Sequence, residues 1–230
     1  MKRRTFVAGG IATSLCRTAA ADGGVPLPIA ANLVVTSRRE WQGHDCLAVE
    51  LTDGEQKLRL EQAGGGNRPS FAIVEKGFTN GTLDVAIGAE LTGKGAPDDR
   101  GFAGLSFHIG ADFASHETVY LRMTNGRLND PPPPAPRINR AIQYVADPGF
   151  HFDRSREEFP GRYEKGADIA VGRWHRLRLE IAGQLLRASV DGTEVLTVPD
   201  LRFPGRNGPV GLFVGDGSRG YFRDLRVLAG

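Results

Sequence analysis

The chain has 230 residues, 40% of them hydrophobic, with 29 Lys and Arg against 27 Asp and Glu for a formal net charge of +2. Removing residues 1–21, read below as an export signal, takes away Lys2, Arg3, Arg4 and Arg17 and no acid, so 29 bases against 27 acids become 25 against 27. That balance leaves no positive surplus of the size nucleic-acid binding requires, no apolar stretch approaches the ~20 residues of a membrane-spanning helix, and Cys46, the one cysteine left, has no intrachain disulfide partner.

In chain order, Lys2-Arg3-Arg4-Thr5-Phe6-Val7 precedes a short apolar run, then Arg17 and the small residues Ala19-Ala20-Ala21. This reads as a twin-arginine signal cleaved before about Asp22, so the export machinery is an expected partner and the location periplasmic or secreted. Leu15 is bulky where a lipid-attachment motif has a small residue, so Cys16 belongs to ordinary signal sequence. Residues 22–39 are read as a leader and 40–230 as one domain; the ~209 residues after cleavage suit a single large β-sandwich.

Glycine, at 31 of 230 residues, and turn pairs such as Asn80-Gly81 and Asn125-Gly126 punctuate short β-like runs, while helical periodicity is nearly absent. Strands are predicted over 47–51, 57–61, 71–75, 82–91, 102–109, 118–124 and 141–146, with Asp53-Gly54 as a turn and Gly64-Gly65-Gly66 as a loop that lacks a phosphate-binding sequence. The prolines of 131–134 form a stiff connection between two strands. Residues 149–166 have no clear periodicity but are rich in chemically able side chains, as loops that line sites are. From residue 174 the pattern sharpens. Leu177, Leu179 and Ile181 alternate with charged residues, Leu186, Ala188 and Val190 follow after Ala182-Gly183, and Asp191-Gly192 turns into a strand over 195–198. Strands over 210–214 and 221–227 close the domain. Phe222, Leu225 and Val227 are spaced three then two, which predicts a bulge between Phe222 and Leu225.

Several of these segments resemble the strand signatures of concanavalin A-like jelly rolls: Phe78-Thr79-Asn80-Gly81-Thr82-Leu83-Asp84-Val85, Gly101-Phe102-Ala103-Gly104-Leu105-Ser106-Phe107, Gly172-Arg173-Trp174, Val190-Asp191-Gly192, and Gly220-Tyr221-Phe222-Arg223-Asp224-Leu225-Arg226-Val227. The nearest branch is the bacterial exported domain described as 3-keto-disaccharide hydrolase-like, or family 16 glycosidase-like, over about residues 40–228. The resemblance implies an all-β fold, a two-sheet antiparallel jelly-roll β-sandwich, and a carbohydrate ligand. The glucanase catalytic strand, Glu-x-Asp-x-x-Glu or Glu-x-Asp-x-Glu, does not occur in this chain, and Glu50, Asp53 and Glu55 have a different spacing.

Strand alternation separates Val119, Leu121 and Met123, which suit a core between sheets, from Tyr120, Arg122 and Thr124, which face outward onto the concave sheet. A phenol, a guanidinium and nearby Asn125 match what sugars need. Alternation admits only one of Gln143 and Tyr144 to the same face; Gln143 is placed there and Tyr144 at the rim. Arg154, Glu157, Glu158 and Tyr163 would fold over as a wall, with Glu164 as base or nucleophile and His151 as its proton partner if there is catalysis. No cofactor is expected; a structural calcium at Asp98, Asp99 and Asp112 is the one metal option. Three functions remain open: binding of a saccharide or glycan on the concave face, cleavage of a glycoside or 3-keto-sugar by carboxylates of 149–166, and a structural envelope role without ligand.

Overall fold

Apolar residues at every second position make most of the strands, and the chain is described by a computed structural model over residues 24–62 and 68–230. The expected signal over residues 1–21 and the glycines at 64–66 lie outside the described residues. The strands are β1 (Ala30–Asn32), β2 (Val34–Trp41), β3 (His44–Leu51), β4 (Phe71–Phe78), β5 (Gly81–Leu91), β6 (Phe102–Phe107) and β7 (His116–Arg122). They continue with β8 (Ile142–Asp147), β9 (Glu164–Lys165), β10 (His175–Ala182), β11 (Leu185–Val190), β12 (Thr193–Val198), β13 (Gly208–Val214) and β14 (Ser218–Ala229). Among the described residues these form two seven-stranded sheets, in the orders β1-β4-β13-β6-β7-β8-β9 and β12-β11-β10-β5-β14-β3-β2, with every strand pairing antiparallel.

One main core lies between the sheets. Leu105, Phe107, Val119, Leu121 and Tyr144 of the first sheet meet Leu47, Val49, Leu83, Val85, Leu177 and Leu179 of the second, all essentially without solvent contact. Burying each aliphatic side chain stabilises the fold by about 1.5–3 kcal/mol, and the only described cysteine, Cys46, is free and buried, so packing is not supplemented by a crosslink. The expected bulge is present: Arg223 pairs with Ala86 but Arg226 with Asp84, and Asp224 takes the left-handed backbone, φ 52°, that absorbs the extra residue. Leu225 is thereby returned to the core beside Phe222, with Val227 packed at its edge.

Three expectations change. The leader drawn over 22–39 ends earlier, because β1 pairs with β4 and β2 runs the full length of β3, so residues from Ala30 onward belong to the sheets. The strand predicted over 57–61 is instead helix α1 (Asp53–Glu61), and Asp53-Gly54 is its first turn. Thr52 caps it, accepting from the Glu55 amide at 3.2 Å, and the pairs Glu55–Arg59 and Lys57–Glu61 sit four residues apart as a helix requires. The third change is in residues 149–166, which are not a plain loop: they form helix α2 (Phe152–Glu158) and then β9, which adds to the edge of β8.

Candidate functional site

Strand β7 is the foundation of the site. It is buried throughout, with Val119 and Leu121 directed into the core and His116, Thr118, Tyr120 and Arg122 onto the outer face of the first sheet. There they line a cavity of about 350 Å³, within the ~300–1,000 Å³ range of small-molecule pockets. Neighbouring elements wall it: α1 contributes Arg59, the segment before β6 contributes Arg100, α2 contributes Phe152 and Arg156, and the chain after the prolines contributes Arg137 and Arg140. Phe102, Phe213 and Phe152 supply aromatic wall, and partly exposed Arg68, Arg140, Arg156 and Asp216 form the rim.

The floor is a hydrogen-bonded unit. Arg122 donates to the Tyr120 phenol oxygen at 2.9 Å and to Gln143 Oε1 at 3.1 Å, and Gln143 is held by donating to the Tyr144 and Tyr163 carbonyls. Gly104 lies opposite Tyr120 across the β6–β7 ladder, where an added Cβ would collide with the Tyr120 backbone, so a bare backbone is what gives that tyrosine its seat. Beneath the floor, Glu164 is engaged by three guanidiniums: Arg156 at 2.7 Å, Arg140 at 3.0 Å and Arg122 at 3.5 Å. Burial raises the Tyr120 phenol above its ordinary value and lowers Arg122. Burial also holds His116 and His151, both in the cavity wall, down at about 4, so both imidazoles are neutral at pH 7. Asp147, 3.6 Å from the His116 Nε2, is pushed up to about 6 by burial and by Asp153.

Of the residues singled out in the sequence, the cavity brings together Tyr120, Arg122, Asn125 and His151, with Gln143 bonded behind Arg122. Asn125 donates to the Arg140 carbonyl at 3.0 Å and accepts from Arg137 at 3.1 Å, so it orients the covering turn. Tyr144 is not at the rim. Alternation puts it between the sheets, where its hydroxyl donates to Glu117 at 2.5 Å. Tyr163 likewise packs in the core and donates to Asp200 at 2.7 Å. Arg154 and Glu158 pair with each other at 2.6 Å on the outer side of α2, and neither they nor exposed Glu157 line the cavity. The two residues named for catalysis are not partnered: the carboxylate nearest the His151 ring is Asp153, at 4.0 Å, while Glu164 faces arginines. Asp98, Asp99 and Asp112 do not converge, and among the described residues no three His, Cys, Asp or Glu side chains form a metal-binding group. Asp98 lines the cavity, Asp99 packs against Gly95 and Gly217, and Asp112 accepts from the Ala114 amide of its own turn.

Sequence reasoning missed the covering arginines, Arg59, Arg68, Arg100, Arg137 and Arg140, and the wall residues Phe102 and Phe213. The strand pattern held a signal for the two phenylalanines, since each sits on the face opposite the core row of its strand. The arginines come from a helix and from irregular chain, where no period places a side chain.

No family model and no curated protein sequence matches the chain. Solved structures do match. A carbohydrate-binding module, CBM66 from Bacillus subtilis, aligns with a TM-score of 0.51 at 13% identity, covering 85% of this chain and 94% of that one. A protein of galectin-like fold from Bacillus subtilis aligns at 0.48 and 11% identity, covering 84% and 86%. A prokaryotic beta-1,3-1,4-glucanase (lichenase) derived from a mouse hindgut metagenome aligns at 0.41 and 12% identity, covering 68% and 69%. The likeness to the first shows the fold: a two-sheet antiparallel jelly-roll sandwich.

Proposed function

We propose that this protein binds a saccharide in the cavity on the outer face of its first sheet. The observation that carries the reading is the floor itself, where a phenol and a fork of guanidinium donors, fixed by Gln143 and Glu164, stand beside the aromatic faces of Phe102 and Phe213. A sugar presents an apolar ring face and a fringe of hydroxyls, and such a surface meets both demands at once. Support of a weaker kind comes from the jelly-roll neighbour that is a carbohydrate-binding module. Binding is preferred to cleavage because Glu164 has its oxygens occupied by arginines, and Glu157 and Glu158 stand outside the cavity. The purely structural role fits less well, since the outer face leaves an open volume of about 350 Å³ instead of a filled layer. The twin-arginine signal read in residues 1–21 completes the proposal: the domain works in the periplasm or outside the cell.

A glycan array followed by calorimetry tests this. For the saccharides that bind, Tyr120→Phe and Phe213→Ala should each weaken Kd by about tenfold, the equivalent of ~1.4 kcal/mol, with the thermal midpoint of Tyr120→Phe within a few degrees of wild type. If no saccharide binds, or if neither variant changes the binding that wild type shows, the reading fails.

A further inference from the structure

The cavity is lined by seven arginines and only two carboxylates, Asp98 and Asp216. Some of that charge is balanced within the protein. Glu164 serves Arg122, Arg140 and Arg156, while Glu55 and Asp216 serve Arg59, and Glu55 also serves Arg68. Two arginines have no such partner among the described residues. Arg137 donates only to Asn125 and Thr124, and the Arg100 guanidinium only to the Asp99 carbonyl, so each is oriented by neutral oxygens, with the Asp98 and Asp99 carboxylates near Arg100 but not bonded to it. Burial, and then the neighbouring Arg137 guanidinium, hold Arg100 below the ordinary arginine value, and the nearby Asp98 and Asp99 carboxylates offset this only in part.

Crowded, half-buried guanidiniums are costly unless a counter-charge arrives, and the planar fork of arginine suits an oxyanion of carboxylate or sulfate shape. A neutral sugar would offer Arg100 and Arg137 hydroxyl oxygens to accept their hydrogen bonds but no charge, whereas an oxyanion supplies charge-assisted bonds of roughly twice the strength. The whole chain is near neutral once residues 1–21 are set aside, so the excess is a property of this cavity and not of the surface at large. Resting on the saccharide reading above, we propose that the ligand is an acidic saccharide: a sugar ring against Phe102 and Phe213 whose carboxylate or sulfate is received by Arg100 and Arg137.

The test compares, by calorimetry at fixed ionic strength, matched neutral, uronic-acid and sulfated oligosaccharides, with sodium sulfate as a sugar-free arm. At least one acidic form should bind tenfold or more tightly than its neutral counterpart, and its Kd should weaken as salt is raised. Arg137→Gln, which keeps a donor for Asn125, should cost the acidic form at least tenfold more affinity than it costs the neutral form; Arg100→Gln should do the same. Whether the uronic acid or the sulfate ester wins identifies the anion, and either result sustains the proposal. Equal affinity for neutral and acidic forms, or variants that weaken both alike, overturns the acidic ligand while the saccharide reading stands. Sodium sulfate binding as tightly as the sulfated sugar removes the sugar ring from the proposal, and silence toward every oligosaccharide refutes the parent reading.

Discussion

At the scale of single residues, two histidines of the cavity wall and two carboxyls close behind it have displaced proton affinities that oppose one another. His116 and His151 are held at about 4 by burial against an ordinary 6.5, so the unfolded chain takes up protons first as pH falls. The stability they contribute is complete above 6.5 and is lost progressively between 6.5 and about 4. Asp99 and Asp147 are raised to about 6, chiefly by burial, and act in the other direction. There the folded chain holds the extra proton, so stability declines as pH rises from about 4 to about 6. Asp99 is the simpler case, with a buried Oδ2 that has no hydrogen-bond partner and Asp216 and Asp98 as neighbouring like charges. Asp99→Asn should therefore raise the thermal midpoint relative to wild type by more at pH 7.5 than at pH 4. A difference between the two proteins that stays constant over that range, measured by circular dichroism, would show that Asp99 is not held protonated by the fold.

At the scale of elements, the site is held together by a clamp centred on β9. Glu164 joins the β7 strand through Arg122, α2 through Arg156 and the post-proline turn through Arg140. Its side chain is only 6% exposed, so removing its charge leaves three guanidiniums facing one another with little water to screen them. Glu164→Gln should lower the free energy of unfolding by about 3–5 kcal/mol, read from urea denaturation. A general base at this position would instead tolerate the change with stability nearly intact. Much of this architecture was legible beforehand. The hairpins from β10 to β12 and the β14 bulge follow from alternation and from Asp191-Gly192, and the outward Tyr120–Arg122 pair follows from the period of β7. Helix α1 was hidden because Leu58 and Leu60 alternate with charged residues over 57–61, while the cue that mattered, Thr52 followed by Glu55, lay just upstream. The arginine ring was hidden for a different reason, since it is assembled from α1, α2 and loops. Its one trace is compositional: 24 of the 29 basic residues are arginine, a bias toward the side chain that forks onto oxyanions.

At the scale of the whole molecule, the two sheets bury their aliphatic rows together and leave two unlike outer faces. The second sheet carries an aromatic group in which Trp41 stacks on Tyr221 at 4.2 Å and meets the edge of Trp174 at 4.9 Å. The first sheet carries the cavity with its phenol, arginines and phenylalanines. Either face has the aromatic surface that sugars favour; the first sets it in one cavity with the phenol of Tyr120 and the hydrogen-bonded guanidinium of Arg122. Hydrogen–deuterium exchange with and without the tightest-binding saccharide separates them in one measurement. Saccharide bound in the first-sheet cavity should slow exchange in α2, in residues 137–140 and at the start of β6, with the second sheet unchanged. Protection confined to residues around Trp41, Trp174 and Tyr221 would contradict it.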